Sequence, residues 1–204
     1  MRAYSTGMIW GLVPVAYLLG TFPSAVMMAR AKGIDITAVG SRNPGASNVA
    51  RTMGTGWGVL VFVLDGLKGA IPAAVGLALD EPLMAYVFVA AAVIGHMYPA
   101  TRRFVGGKGV ATVGGAMVVL HPIVFVVLTA VWLAIRKGTG TASLGSLVIA
   151  IGLPIGIALG GSPAWEIGAT VGLALLVMLR HTDNIKRLAR GSELSASRDP
   201  SKSH

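Results

Sequence analysis

The sequence predicts an all-α protein embedded in a membrane, and three observations carry this prediction. Of the 204 residues, 54% are hydrophobic and only 12% are charged, whereas a soluble domain has about 25% charged residues. The mean hydropathy is +0.73, and the apolar residues form runs long enough for helices that cross lipid. The basic residues collect in a few clusters between these runs, as they do in loops that face the cytoplasm.

The composition also excludes several classes of function. The chain has no cysteine, so disulfides, thiol nucleophiles and cysteine metal sites are ruled out. Its net charge of +9 indicates contact with anionic membrane lipid, and we expect no nucleic acid partner. Residues 1–193 are predicted to form a single membrane domain, and the polar, serine-rich residues 194–204 to form a disordered cytoplasmic tail.

The number of spans depends on one long apolar segment. Six apolar segments are visible, at Met8–Ala29, Trp57–Leu79, Leu83–Ala100, Val110–Ile135, Ala142–Gly160 and Ala164–Leu179. The fourth would make a helix of roughly 39 Å, longer than a hydrocarbon core of about 30 Å. Pro122 lies in its middle, where a proline can end one helix and open the next. A split at His121–Pro122 gives seven spans, one of them short or only partly inserted.

The basic clusters favour seven transmembrane helices over six. Apart from Arg2 and Lys68, Lys and Arg lie at 30–51, 102–108, 136–137 and 180–202, while the connections at 80–81 and 160–163 carry none. With seven spans all four clusters fall on one side of the membrane, which the positive-inside rule makes the cytoplasmic side. The sequence therefore predicts a polytopic protein with its N-terminus outside and its C-terminus in the cytoplasm.

A glycine-rich loop around Lys108 indicates a phosphate site. Gly106, Gly107 and Gly109 leave the backbone free to wrap around an anion, and Lys108 supplies charge where a helix begins. The P-loop pattern fails twice, because Arg102 replaces its first glycine and Gly109 replaces its Ser or Thr. Nucleotide hydrolysis is therefore unsupported, and an anion-binding loop remains.

A second polar segment, G-S-R-N-P-G-A-S-N-V-A-R at 40–51, lies on the same predicted side. Its composition predicts a turn, with Ser47 or Asn48 able to cap the helix that follows. The backbone N–H groups of such a turn bind anions, and Arg51 could add a fork of donors. Taken alone, the segment is equally compatible with an ordinary cytoplasmic loop.

A third polar segment follows the last span. On a continuous helix, Arg180, Asn184 and Arg187 would share one face at i, i+4 and i+7. A basic stripe after a span is typical of an anchor to anionic lipid. Such an anchor needs neither His181 nor Asn184, so this segment also favours a site.

Two charges and one histidine lie deeper. Asp65 and Lys68 stand three residues apart inside the second predicted span, where each charge costs about 2.5–3.5 kcal/mol without a partner. We interpret Asp65 as structural, whereas Lys68 either neutralises it or extends the anion site. His96, near a span end, is either an interfacial hydrogen-bonding residue, the commoner role for a lone histidine, or part of the site.

These segments resemble the motifs of the bacterial acyl-phosphate-dependent glycerol-3-phosphate acyltransferases, the PlsY family. The matches are S-G-N-x-G-A-[TS]-N-x-x-R at 41–51, G-H-x-[FWY]-P followed by F-K-G-G-K-G-V-A-T at 95–99 and 104–112, R-H-x-x-N-[IL]-x-R-L at 180–188, D-x-L-K-G at 65–69 and S-L-G at 143–145. The similarity runs from about Gly20 to Glu193. Two positions depart from the motifs: Arg42 replaces a usual glycine, and Val105 a usual lysine.

The resemblance implies a reaction at the cytoplasmic face of the bacterial inner membrane. A long-chain acyl phosphate donates its acyl group to the 1-hydroxyl of sn-glycerol 3-phosphate, giving lysophosphatidate and phosphate for phospholipid synthesis. We expect a monomer that needs no cofactor. We also expect no metal ion, because the carboxylates are few and scattered. The implied catalytic residues are Ser41, Arg51, Lys108, His181 and Asn184, and the implied phosphate-binding residues are Asn43, Gly45, Asn48, Lys68, His96, Gly106, Gly107, Gly109, Thr112, Ser143, Arg180 and Arg187.

The general base and two rival functions stay open at this level. The H-x-x-x-x-D motif of another acyltransferase class is absent, because no aspartate stands five residues after His96, His121 or His181. Either a substrate phosphate oxygen takes the hydroxyl proton while His181 assists, or His181 is itself the base. A transporter of organic phosphates and a non-catalytic anchor subunit are the rivals. Transport is disfavoured because the motifs lie at the rim of the spans and not at a midplane site.

Overall fold

In a computed structural model of the protein, residues 6–195 are described, and all their regular elements are helical. The helices are α1 (Thr6–Trp10), α2 (Leu12–Gly20), α3 (Ser24–Arg30), α4 (Ala46–Met53), α5 (Thr55–Ala78), α6 (Pro82–Met97), α7 (Val110–Leu120), α8 (Pro122–Thr139), α9 (Ala142–Leu159), α10 (Ala164–Arg180) and α11 (Thr182–Ala189), with a short 3-10 helix at Ala100–Arg102. Of the tail predicted to be disordered, residues 196–204 lie outside the described part.

Five stretches within residues 6–195 are helical and apolar over a length that crosses a membrane. They are Gly7–Arg30, Thr55–Ala78, Pro82–Arg102, Pro122–Thr139 and Ala142–Leu159. A sixth results if α10 and α11, which meet at an angle of 60°, are counted as one broken span. α7 is apolar but has only 11 residues. The helical, multi-span architecture is confirmed, whereas the count of seven and the orientation stay predictions.

The predicted break at His121–Pro122 is present. α7 ends at Leu120 and α8 begins at Pro122, where the missing N–H of proline costs no helical hydrogen bond. His121 Nε2 lies 2.7 Å from Tyr86 Oη and 3.2 Å from Glu166 Oε2. These contacts tie the break to α6 and to the first turn of α10, at the end of the helices opposite the basic clusters.

The central helix α5 packs against α4, α6 and α7. Glycines allow its close approach to α7, since a Cβ on Gly69 would meet the carbonyl oxygen of Thr112 and a Cβ on Gly115 would meet the backbone of Gly66. Small residues at such contacts let transmembrane helices pack backbone against backbone. This packing fixes the start of α7, and with it the glycine-rich loop before it, relative to α5.

Three apolar clusters hold the helices together, and one of them joins α1 and α2 to α6. The other two differ in size. The larger joins α5, α6, α7, α9 and α10 through fully buried side chains such as Val93, Met97 and Ile157. The smaller joins α3, α4 and α5 through Ile36 and Val49, and thereby seats the loop before α4. α8 contributes no buried residue and packs mainly on α9.

Because α5 and α7 touch at Gly69, we expect Gly69→Ala to lower the free energy of unfolding by about 1–3 kcal/mol through overpacking. Gly168→Ala is the matched control, since a Cβ at Gly168 meets nothing within 4 Å. Both changes gain the same helix propensity. Denaturant unfolding of the purified variants in one detergent measures the difference, and equal stabilities would contradict the packing interpretation.

Candidate active site

The three polar segments meet at one end of the helices, around a cavity of about 400 Å³. Eleven of the residues predicted for the site line it: Ser41, Asn43, Gly45, Asn48, Arg51, His96, Lys108, Gly109, Ser143, His181 and Asn184. Six lie outside the lining: Lys68, Gly106, Gly107, Thr112, Arg180 and Arg187. Arg51, Lys108 and His181 therefore face a common space, although they come from segments far apart in the chain.

Asn48 holds the first loop in place. Its amide nitrogen donates to the carbonyl oxygens of Ile36 (3.1 Å) and Val39 (3.0 Å), and its Oδ1 accepts from the backbone N–H of Ser41 (2.9 Å). Both of its N–H bonds are thus used within the loop. The predicted phosphate contact of Asn48 is not supported by these contacts, and its role is to fix the backbone at Ser41.

Arg51 lies one turn further along α4, so the loop that Asn48 fixes also sets its position. Its Nη1 lies 3.4 Å from Asn48 Oδ1. Burial lowers the pKa of the Arg51 guanidinium, an effect that Glu193 opposes and Arg187 reinforces. A cation that has lost part of its water in this way gains from an incoming anion.

The glycine-rich loop packs closely on His96. The backbone N–H of Gly107 donates to the His96 carbonyl oxygen at 3.1 Å, and a Cβ on Gly107 would overlap the His96 imidazole. Gly109 has φ +80 and stands directly before α7. Only glycine adopts this course without strain, so the loop delivers Lys108 to the cavity at the start of α7.

Arg180 stabilises the same loop from outside the cavity. Its Nη2 donates to the carbonyl oxygen of Gly106 (2.8 Å) and its Nε to that of Gly107 (3.2 Å), while its guanidinium lies over the Tyr98 ring. The prediction that Arg180 shares a helix face with Asn184 and Arg187 is wrong. The helix breaks at His181, and α11 leaves α10 at 60°. Arg180 can therefore turn towards the loop while α11 faces the site.

Lys108 and Asn184 join the second and third segments. The Lys108 Nζ donates to Asn184 Oδ1. Burial lowers the pKa of the Lys108 amine to about 8, and the neighbouring Arg187 contributes to the lowering while Glu193 opposes it. Lys108 is thus a poorly hydrated cation in a basic pocket, which favours binding of an anion.

The contact of His181 fixes its tautomer. Its Nδ1 lies 2.8 Å from the carbonyl oxygen of Val177, which can only accept, so Nδ1 carries a proton. In the neutral ring Nε2 is then the acceptor. His181 is 2% exposed and lines the cavity, so it can accept a hydrogen bond from a bound hydroxyl.

Beneath the cavity lies a buried polar cluster around Asp65. Lys68 Nζ donates to Asp65 Oδ1 (2.6 Å) and to Ser24 Oγ (3.1 Å), and lies 3.5 Å from His96 Nδ1. Ser24 Oγ also donates to Asp65. These contacts favour the interpretation in which Lys68 neutralises Asp65. The phosphate contact predicted for Lys68 has no support in the cavity lining.

Two hydroxyl groups are buried without a hydrogen-bond partner among the residues that the structure describes: Thr112 Oγ1 and Ser143 Oγ. A buried hydroxyl without a partner costs about 1–3 kcal/mol. Ser143 lines the cavity, so a bound substrate can supply its partner, in keeping with its predicted role. Thr112 lies outside the lining, and its predicted phosphate contact stays a prediction.

Two groups of residues in the cavity wall were not predicted from the sequence. One is the acidic Glu193, which accepts hydrogen bonds from Asn184 and Arg187 at 2.7 and 2.9 Å. The other is the apolar wall, which includes Phe62, Phe125, Leu128, Trp132, Leu133, Leu153, Leu173 and Val177. The wall residues are ordinary span residues, so their sequence carries no signal that distinguishes them from residues facing lipid. Glu193 does carry a sequence signal, because it is an acidic residue that follows the basic helix α11 by four residues.

The departures from the motifs differ in their effect. Arg42 has φ +59, a left-handed conformation that suits the glycine it replaces. Val105 is 56% exposed and lies outside the cavity lining, so its lost lysine leaves the wall of the site unchanged.

The fold and the site define an integral membrane protein whose cavity has basic side chains at one end and an apolar wall beside them. The family model described as glycerol-3-phosphate acyltransferase matches residues 10–191. The chain therefore belongs to the glycerol-3-phosphate acyltransferase family, whose reaction implies a place in phospholipid synthesis. The PlsY resemblance of the three motifs is thereby confirmed.

Individual relatives support this membership. The glycerol-3-phosphate acyltransferase of Solidesulfovibrio magneticus is 42% identical over 92% of this chain and 95% of its own. That of Desulforudis audaxviator is 38% identical over 89% and 92%. The crystal structure of PlsY, an integral membrane glycerol 3-phosphate acyltransferase, in its glycerol 3-phosphate form is similar with a TM-score of 0.88 and 38% identity, over 93% of this chain and 96% of that one. Its lysophosphatidic acid form has a TM-score of 0.86.

Because Arg42 occupies a left-handed turn, we expect Arg42→Gly to raise the free energy of unfolding by about 0.5–1 kcal/mol. The relieved strain is roughly 1–2 kcal/mol, and the extra entropy of an unfolded glycine removes part of it. Arg30→Gly, on the exposed end of α3, is the control and should lower stability by about 1 kcal/mol. Denaturant unfolding tests both, and a loss of stability in Arg42→Gly would contradict the strain.

Proposed function

We propose that this protein transfers a long-chain acyl group from acyl phosphate to the 1-hydroxyl of sn-glycerol 3-phosphate. One observation carries the proposal: the cavity has a basic end, with Arg51, Lys108 and Asn184, and an apolar wall between α5, α8, α9 and α10. A soluble phosphate ester fits the first and an acyl chain the second. The related PlsY structure exists in a glycerol 3-phosphate form and in a lysophosphatidic acid form, and the chemistry of these two molecules supports the proposal.

For this reaction the protein has to position the two substrates and neutralise the charge of their phosphates. The 1-hydroxyl oxygen forms a bond to the acyl carbon, the bond from that carbon to the phosphate oxygen breaks, and inorganic phosphate leaves with the electron pair. An acyl phosphate is already activated, so placing both substrates and neutralising their phosphates supplies the main acceleration. Lys108 and Arg51 supply the neutralising charge and Asn184 an uncharged hydrogen-bond donor, while Ser41, Asn43 and Ser143 line the same space.

The proton of the hydroxyl goes, in this proposal, to a phosphate oxygen of the substrate. His181 Nε2, the accepting nitrogen of the neutral ring, orients the hydroxyl. The variant His181→Gln distinguishes proton transfer to the substrate phosphate from a mechanism in which His181 is the base. Glutamine can orient a hydroxyl but cannot take its proton. Turnover abolished with unchanged binding of glycerol 3-phosphate would make His181 the base.

We further propose seven crossings, with the site facing the cytoplasm of the bacterial inner membrane. The stretch from α1 to α3 forms the first, and α5 to α10 form the other six, with α7 as the short one. The site lies at helix ends among the basic clusters, which supports this orientation. The natural chain has no cysteine, so Glu81→Cys provides a single thiol. Its labelling by an impermeant maleimide in intact cells is expected, and labelling only after lysis would contradict the orientation.

The reaction is tested with purified protein, radiolabelled glycerol 3-phosphate, and either palmitoyl phosphate or palmitoyl-CoA as donor. We expect label in lysophosphatidate only with the acyl phosphate. Lys108→Ala should lower kcat/KM about 100-fold, because it loses a charge-assisted contact and frees Asn184. Lys186→Ala removes an exposed lysine of α11 and is the control, with activity unchanged. Turnover with palmitoyl-CoA, or full activity of Lys108→Ala, would overturn the proposal.

The lowered pKa of Lys108 predicts a pH dependence. The charged amine is the form that binds phosphate, and with a pKa of about 8 it loses its proton near pH 8 instead of near its ordinary 10.5. We therefore expect kcat/KM for glycerol 3-phosphate to fall as the pH rises through about 8. Lys108→Arg should remove this fall, since arginine stays charged throughout that range. A wild-type profile that stays level to pH 9.5 would contradict the assignment.

A further inference from the structure

The segment after α11 folds back over the basic end of the cavity. Gly191, with φ +65, turns the chain, and the backbone N–H of Ser192 bonds to the Arg187 carbonyl oxygen at 2.9 Å. Ser195 then places its carbonyl oxygen 2.8 Å from Arg51 Nε. Glu193 and Leu194 both line the cavity. The segment thus covers the polar end of the site from the cytoplasmic side.

The carboxylate of Glu193 occupies one donor that the proposed function assigns to a phosphate, Asn184, and also bonds to the neighbouring Arg187. Its Oε1 accepts from Asn184 Nδ2 at 2.7 Å, and its Oε2 accepts from Arg187 Nε at 2.9 Å. The Glu193 side chain is only 8% exposed. Asn184 bonds to Lys108 through its other amide atom, so one chain of contacts runs from Lys108 to the carboxylate. Glu193 is an anion seated among the cations of the site.

Glu193 is also the carboxylate in the cavity that is available to interact with Arg51 and Lys108. The cavity is lined by two carboxylates within the described range, Asp65 and Glu193. Asp65 is already paired with Lys68 at 2.6 Å. Glu193 acts on Arg51 and Lys108, in each case opposing the loss of the proton that burial favours. It therefore does in the empty site what a substrate phosphate would do in the occupied one.

We propose that Glu193 is a built-in competitor of the substrate phosphate, which glycerol 3-phosphate displaces when it binds. The proposal rests on the proposed function, in which this end of the cavity binds glycerol 3-phosphate. A phosphate monoester carries nearly two negative charges and three acceptor oxygens, and the carboxylate has one charge and two oxygens. The substrate wins the exchange, but its apparent affinity is reduced by the fraction of protein in which Glu193 holds the donors. Glu193 lies beyond the residues 10–191 that the family model matches.

Glu193→Gln tests the competition, because it keeps the shape of the side chain and removes its charge. We expect the KM for glycerol 3-phosphate to fall on the order of tenfold, the weight of one charge-assisted contact. The kcat and the KM for acyl phosphate should not change. Glu81→Gln, on an exposed residue at the opposite end of the helices, is the control and should behave as wild type. An unchanged or raised KM in Glu193→Gln would overturn the proposal, since a residue that only orients Asn184 would weaken binding when altered.

A binding measurement separates this proposal from the reaction itself. Calorimetry of the purified protein with glycerol 3-phosphate, without an acyl donor, should show a correspondingly lower Kd for Glu193→Gln than for wild type. If wild type makes no lysophosphatidate while Glu193→Gln binds more tightly, the acyl-transfer proposal fails and the competition stands. Equal or weaker binding by Glu193→Gln, with normal turnover by wild type, would refute the competition and leave acyl transfer intact.

Displacement of the segment is measured directly through Leu194, which is 37% exposed and lines the cavity. Leu194→Cys gives the only thiol of the chain. We expect its rate of modification by a maleimide to rise severalfold at saturating glycerol 3-phosphate. Leu159→Cys, at the far end of α9 and 84% exposed, is the control and should react at one rate throughout. A rate at Leu194→Cys that stays constant or falls would overturn the proposal.

Discussion

Repulsion between cations in a partly dry pocket is the constraint on which this site depends. Arg187 repels both Arg51 and Lys108, which come from other segments, and burial already disfavours the charged forms of Arg51 and Lys108. Like charges repel more strongly there than in water. The pocket is therefore costly to form without an anion at its centre. The carboxylate of Glu193 lowers this cost in the empty site, and under the proposed function a substrate phosphate would do the same.

Hydrogen bonds to backbone groups hold the side chains and loops of the site in place. Asn48 fixes the first loop through backbone carbonyl groups, and the carbonyl of Val177 orients His181. The glycine-rich loop is bound to the backbone of His96 and by Arg180. In each case the group that faces the cavity is separate from the group that positions it. Preorganised donors of this kind need little rearrangement when charge develops during a reaction.

The sequence predicted those features that local patterns determine. Pro122 marked the helix break because proline acts on its own backbone, and the glycines around Lys108 marked a loop because only glycine adopts such conformations freely. The three segments of the site were recognised in the same way, because polar and glycine-rich stretches stand out between long apolar runs.

What the sequence did not predict depends on contacts between distant segments. The break at His181 has no proline or glycine to announce it, and it turned Arg180 towards Gly106 and Gly107 instead of along the face of α11. The role of Asn48 follows from the carbonyl groups that surround it, which are known only once the loop is folded. Leucines and phenylalanines that line the cavity cannot be told from those that face lipid, because both environments are apolar.

The position of α8 has a consequence for how an acyl substrate and product would enter and leave the cavity. One side of this helix lines the cavity, through Phe125, Leu128 and Trp132, and none of its residues is buried. It rests on α9, where Gly152 and Gly156 receive its side chains. Within residues 6–195, α8 is thus a wall of the cavity that has no other helix packed over its outer side. Under the proposed function, an acyl chain in the cavity lies directly against α8, so the lipid packed around this helix is expected to influence how acyl chains enter and leave.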